Sequence, residues 1–210
     1  NIYTRKEIFM QEGWHYELES AQAPLKYNGV VYNEMKGAYS SPDDVLNRYC
    51  LNSLYPDTAY SVESGGDPDS IPDLSYEDFL AFHKKLYHPS NSYIYLYGNC
   101  DMAERLEYLD REYLSHYDCM KVDSEIKTQK PFESMHRVEA QYSVTEDEGI
   151  AGRTYLSYNL SVGDTLDKKL YIAMQVLDYA LFSAPGAQVR QALIDAGIGD
   201  DIICSYESSL

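Results

Sequence analysis

The chain has 210 residues, 44% of them hydrophobic and 24% charged, with a formal net charge of −17. That make-up is ordinary for a soluble globular protein of one large or two small domains, and no apolar run approaches the roughly 20 residues a membrane span needs. Nucleic acid is a poor partner for so acidic a chain, because binding the phosphate backbone depends on Lys and Arg displacing counterions; an acidic surface favours cationic ligands.

Cysteine usage is sparse. Cys50, Cys100, Cys119 and Cys204 are widely spaced, with no Cys-x-x-Cys pair, and read as free thiols of a reducing compartment. The sequence opens at Asn1 without an initiator Met, a basic n-region or an apolar h-region, so it is expected to be a piece of a longer protein. The 22 tyrosines suit half-buried sheet faces and surfaces that receive extended peptides.

In chain order, Tyr3 to Met10 reads as the end of a helix, and Gln11-Glu12-Gly13 punctuates it. Trp14 to Glu19 alternates large and polar side chains, the period of a half-buried strand, and Ala21 to Asn28 is a loop holding Pro24. From Gly29 the period turns helical, with Val30, Val31, Glu34, Met35, Ala38 and Tyr39 in register. A new helix starts at Ser41-Pro42-Asp43-Asp44, Ser41 capping, Pro42 at the first helical position and acids in the first turn. It continues through Val45 to Tyr55.

Ala59 to Val62 is a short strand candidate between turn-rich segments, the second of them Ser64-Gly65-Gly66-Asp67-Pro68. That segment lacks the spacing and the Lys-Ser/Thr of a phosphate loop and reads as a structural turn. Ser75 and Asp78 form a capping-box-like pair for a helix from Tyr76 to Tyr87, which stops at His88-Pro89 because proline disfavours helical geometry before it. Tyr93-Ile94-Tyr95-Leu96-Tyr97 is an uninterrupted apolar and aromatic run fit for a central strand. Met102 to His116 is again helical, and polar Asp118 to Glu133 reads as a linker. Beyond it the pattern predicts strands at His136 to Val144, Arg153 to Leu160 and Ile202 to Tyr206, and helices at Leu166 to Phe182 and Gln188 to Ala196. The whole is expected to be α+β, with helices packed on one face of a mainly antiparallel sheet.

Three motifs in register carry a resemblance: Gly29-Val30-Val31-Tyr32-Asn33-Glu34-Met35-Lys36-Gly37, Ser64-Gly65-Gly66-Asp67-Pro68, and Phe82-His83-Lys84-Lys85-Leu86-Tyr87-His88-Pro89-Ser90-Asn91. With Gln11-Glu12-Gly13-Trp14, they resemble the presequence protease branch of the insulinase-like (pitrilysin) zinc metallopeptidases. The resemblance implies the insulinase-like metallopeptidase fold and parts of two pseudo-repeated domains. Residues 1–117 would be the C-terminal part of the first, catalytic domain, 118–133 a linker, and 134–210 the N-terminal part of the second, non-catalytic one.

The family hydrolyses peptides with one zinc held by two histidines of a His-x-x-Glu-His helix and a glutamate far downstream. Neutral imidazoles and a carboxylate leave zinc a position for water and lower that water's pKa. The resemblance puts Glu34 in the place of the downstream ligand, whereas by residue type alone it is a surface helix acid. Asn33 is a candidate outer-shell partner, since ligating carboxylates are held by neighbouring hydrogen bonds; Lys36 either orients Glu34 or faces solvent. His15, His83, His88, His116 and His136 contain no His-x-x-Glu-His and no i, i+4 pair, so no catalytic residue is expected in this stretch.

The resemblance therefore implies a fragment of a zinc-dependent endopeptidase that degrades unfolded oligopeptides in an enclosed chamber. The expected cofactor is zinc, one ion per full-length protein, held weakly or not at all by these residues alone, which would be inactive. The alternative is a non-catalytic peptide-binding or scaffold homologue of the same fold. Expected partners are peptide substrates and the remaining portions of the same polypeptide, with neither nucleic acid nor membrane. Self-association of the fragment is expected too, because half-domains expose unpaired strands and apolar faces. The expected location is intracellular: cytoplasmic in a bacterium, organellar in a eukaryote.

Overall fold

The computed structural model describes residues 2–199 and 201–208. The chain forms two compact units, Asn1–Tyr158 and Asn159–Leu210. The architecture is α+β: helices accompany a small antiparallel sheet.

The first unit begins with α1 (Lys6–Glu12), whose Phe9 is, with Val45, one of its two buried hydrophobic side chains among the described residues. Strand β1 (His15–Glu17) pairs antiparallel with β2 (Lys26–Asn28), His15 opposite Asn28 and Glu17 opposite Lys26. The second strand lies in what the sequence presents as a loop. Its ladder is short because Pro24 precedes it and Gly29 ends it. Helix α2 (Val30–Ala38) follows at once, and α3 (Pro42–Leu54) begins as its residues predict, the Ser41 side chain accepting from the Asp44 amide at 3.4 Å.

Helix α4 (Tyr76–Leu86) is likewise capped by Ser75, which accepts from the Asp78 amide at 3.0 Å. It packs onto α1, with the Tyr76 and Phe79 rings 5.7 and 5.4 Å from Phe9. Helix α5 (Met102–Glu112) starts at Asp101, whose carboxylate accepts from the Ala103 and Glu104 amides. Each cap satisfies amides that the first helical turn cannot.

The helices fall where the periodicity puts them, and several strands do not. Ala59–Ser61 is a 3₁₀ turn, because the Thr58 hydroxyl accepts from the Tyr60 amide at 3.1 Å and closes the backbone locally. Among the described residues, 93–97, 136–144, 153–160 and 202–206 belong to no sheet. A strand needs a second backbone with which to exchange ladder hydrogen bonds, and among the described residues these segments form no ladder. Tyr93, Tyr95 and Tyr97 are 105%, 85% and 91% exposed, side chains suited to a buried face with nothing over them. Two of these segments meet through Tyr142, whose hydroxyl donates to the Arg153 carbonyl and whose ring lies 5.5 Å from Tyr155. Residues 118–133 are irregular and held to the preceding part of the first unit by polar contacts, Gln129 with Asp57 and the Met120 amide with Ser90.

In the second unit, α6 (Lys168–Asp178) is capped by Asp167 and runs into a π turn, Tyr179–Ser183. Helix α7 (Gln188–Asp195) follows, with Ala187 the buried hydrophobic residue before it. A shallow concavity of about 420 Å³, lined in part by Phe182, Pro185 and Cys204, lies beside Arg190. Arg190 donates to the Ile202 carbonyl and pairs loosely with Asp201 at 3.8 Å.

Candidate functional site

The candidate site is built on α2, and α2 is fixed by what meets its two ends. Gly29 is its N-cap, with φ +148° and no capping side chain. A Cβ there would stand 2.3 Å from the Gly13 carbonyl oxygen and 2.7 Å from the Trp14 Cα. These are backbone atoms that cannot swing aside, so the helix can start here only with glycine. The same Gly13 carbonyl accepts from the Tyr32 amide at 3.2 Å, satisfying a donor that the helix start leaves open.

Asn28 completes the fastening. Its side-chain oxygen accepts from the Gly29 amide at 2.8 Å and from the Asn33 side-chain nitrogen at 2.6 Å. At the other end Tyr39 lies under Arg48 of α3, the guanidinium carbon 3.5 Å from the ring centre. Burial, with Asp67 and Glu63 nearby, pushes the Tyr39 hydroxyl up against the opposing pull of Arg48. Along the middle, Gly65 lets the Ser64–Pro68 turn close on Met35, for a Cβ there would meet the Met35 sulfur at 2.3 Å. The turn read from the sequence as structural thus supports the residue next to Glu34.

Glu34 itself is exposed, and its carboxylate has no hydrogen-bond or ion-pair partner among the described residues. Lys36 is also exposed. Asn33 has one amide hydrogen committed to Asn28. Behind the helix start the Trp14, Tyr16, Tyr27 and Tyr32 rings form a chain with centres 5.3–5.8 Å apart. Hydrogen bonding and charge from the Tyr16 phenol raise the pKa of Tyr27. Residues two apart on a helix do not share a face, so Tyr32 and its aromatic neighbours lie away from Glu34.

Four of the five histidines have local work. The Nδ1 of His15 donates to the Met10 carbonyl at 2.7 Å. His83 stacks on Tyr87 at 4.1 Å and bonds through Nδ1 to the Tyr3 hydroxyl. The His88 Nδ1 accepts from the Ser90 amide at 3.1 Å, capping the turn at Pro89–Asn91. His136 stacks on Phe132. No three His, Cys, Asp or Glu side chains among the described residues converge as a metal would require. A carboxylate on a solvent-facing helix side, with no internal partner to compete, fits the part of one zinc ligand; three protein ligands are the usual requirement. All four cysteines are free thiols, Cys100 and Cys119 exposed and Cys50 and Cys204 half-buried.

Sequence reasoning overlooked Asn28 and Gly13. The signal available was an Asn-Gly pair at the entry to a helix lacking a Ser, Thr or Asp cap of its own.

Residues 73–210 match the family model described as the peptidase M16 inactive domain. Over 209 residues the chain is 53% identical to Protein HypA of Clostridium perfringens, which takes in 100% of this chain and 22% of that protein. It is 38% identical over 200 residues to presequence protease 1, chloroplastic/mitochondrial, of Arabidopsis thaliana, 94% of this chain and 18% of that protein. To the mitochondrial presequence protease of Mus musculus it is 34% identical over 204 residues, 94% of this chain and 19% of that protein. The chain therefore spans about a fifth of the length of these relatives.

Proposed function

The chain belongs to the peptidase M16 family, and from that premise we propose that it is part of a zinc-dependent endopeptidase in which Glu34 supplies one of the metal's ligands. The carrying observation is the placement of Glu34: a carboxylate without a partner among the described residues, exposed on a helix fastened at both ends. Bound zinc lowers the pKa of a coordinated water and polarises the scissile carbonyl. The remaining ligands come from polypeptide outside these residues, so the 210-residue chain alone hydrolyses nothing.

Residues 1–117 belong on this reading to the catalytic domain, 118–133 to a linker, and 134–210 to a pseudo-repeated domain without metal ligands. The absence of both His and Glu from α6 supports the last assignment. The substrates are unfolded oligopeptides taken into an enclosed chamber, and the net charge of −17 favours basic ones. The protein works inside the cell, in the cytoplasm of a bacterium or an organelle of a eukaryote. The names of the Arabidopsis and mouse relatives support the organellar case. No helix among the described residues is long and apolar enough to cross a membrane.

A second reading, a non-catalytic peptide-binding or scaffold homologue, is favoured by one observation: the matching family model describes an inactive domain. Cleavage of a quenched peptide by the full-length protein, before and after chelation, separates the two. The peptidase reading expects cleavage that the chelator abolishes and zinc restores. A full-length protein that binds the peptide without cutting it, zinc-loaded or not, supports the second reading and sinks the first.

A further inference from the structure

We propose that Asn28 is a positioning residue for Glu34, acting as the hinge pin between the β1–β2 hairpin and α2. The inference rests on the reading of Glu34 as a metal ligand and adds how that ligand is held. Asn28 is the last residue of β2, opposite His15 in the ladder, and directly precedes the N-cap Gly29. Gly29 has no side chain with which to cap the helix. The Gly13 carbonyl takes the Tyr32 amide that such a cap would satisfy, and Asn28 adds a second fastening: its one oxygen takes both the Gly29 amide at 2.8 Å and the Asn33 side-chain nitrogen at 2.6 Å. The second bond reaches one turn into the helix and ties its first residues to the end of the strand.

The requirement is for a two-lone-pair oxygen at this position, which Asn and Asp provide and Ala does not. Asp would also place negative charge at the helix start, where the dipole favours it. Glu34 lies five residues beyond Gly29, roughly 7.5 Å along the axis at the helical rise. A tilt at the hinge therefore carries the carboxylate with it, while metal–ligand distances tolerate only about 0.2 Å. Helix α2 is also stacked at its far end by Tyr39 and Arg48, so freeing the near end tilts the helix more readily than it unfolds it.

The test is zinc affinity of the full-length protein, measured by competition with a chromophoric chelator, for the wild type, Asn28→Ala, Asn28→Asp and Glu34→Gln. Expected is zinc binding about tenfold weaker in Asn28→Ala, the lower end of what outer-shell substitutions cost. Asn28→Asp should bind as the wild type does, and the metal-free melting temperatures of both variants should match it. Wild-type affinity in Asn28→Ala alongside lost zinc in Glu34→Gln overturns the inference and leaves Glu34 as a ligand. Asp failing to rescue also overturns it. Unchanged affinity in Glu34→Gln overturns both. Where Asn28→Ala does not fold, Asn33→Ala removes one of the two donors to the same oxygen. It is expected to weaken zinc as well, and wild-type affinity there counts against the hinge.

Discussion

Gly13 and Gly29 meet backbone to backbone, so closely that a Cβ on Gly29 would lie 2.3 Å from the Gly13 carbonyl oxygen. The contact joins the end of α1 to the start of α2, and with it the unit's Phe9 packing to the helix that carries Glu34.

Gly29→Ala is therefore expected to destabilise the protein by at least about 2 kcal/mol, since it adds a strained φ to an unrelievable clash. Gly37, inside α2 with open space around it and no positive φ, makes the control. Gly37→Ala is expected to stabilise by about 0.5 kcal/mol through helix propensity. Urea unfolding of the two variants checks both signs, and equal destabilisation would contradict the contact.

Thiol labelling should follow burial and pKa. Burial pushes the Cys50 thiol up, and burial together with Asp178 raises Cys204 against the pull of Arg190. The thiolate is the reacting form, so a raised pKa delays reaction to higher pH. At pH 8, Cys100 and Cys119 are expected to react with a maleimide first, and labelling of Cys50 to rise only under more alkaline conditions. Mass spectrometry of timed digests reads the order, and Cys50 labelling first would contradict it.

The Tyr93–Tyr97 run should drive self-association of the isolated 210-residue chain. It combines strong strand formers with exposed rings and carries no charge or proline, the features of an unprotected edge. Tyr95→Lys, a charge placed in the middle of the run, is expected to shift sedimentation toward the monomer. Sedimentation unchanged by the substitution would remove this segment from the contact.

What the sequence made legible was local. Ser41 and Ser75 each cap a helix as read, and a cap is set by residues within one turn; the caps at Asp101 and Asp167 came only with the structure. The strands at 93–97, 136–144 and 153–160 were predicted from side chains that fit a sheet, but pairing depends on a distant backbone that periodicity does not describe. Ala59–Ser61 failed for a different reason: Thr58 offered a nearer partner to the Tyr60 amide. In the candidate site it was the family resemblance of the motif, not residue type, that singled out Glu34 and, beside it, Asn33. Gly13 stayed hidden because its role arises only when segments 13–14 and 28–33 come together; Asn28 acts locally on Gly29 and Asn33, its signal no more than an Asn-Gly pair.

The central claim is that Glu34 holds zinc. Elemental analysis of the full-length protein after dialysis tests it most directly, with the wild type, Glu34→Gln and the 210-residue chain side by side. The account predicts one zinc per wild-type molecule, and its loss from both Glu34→Gln and the 210-residue chain. A full zinc complement in Glu34→Gln would contradict it.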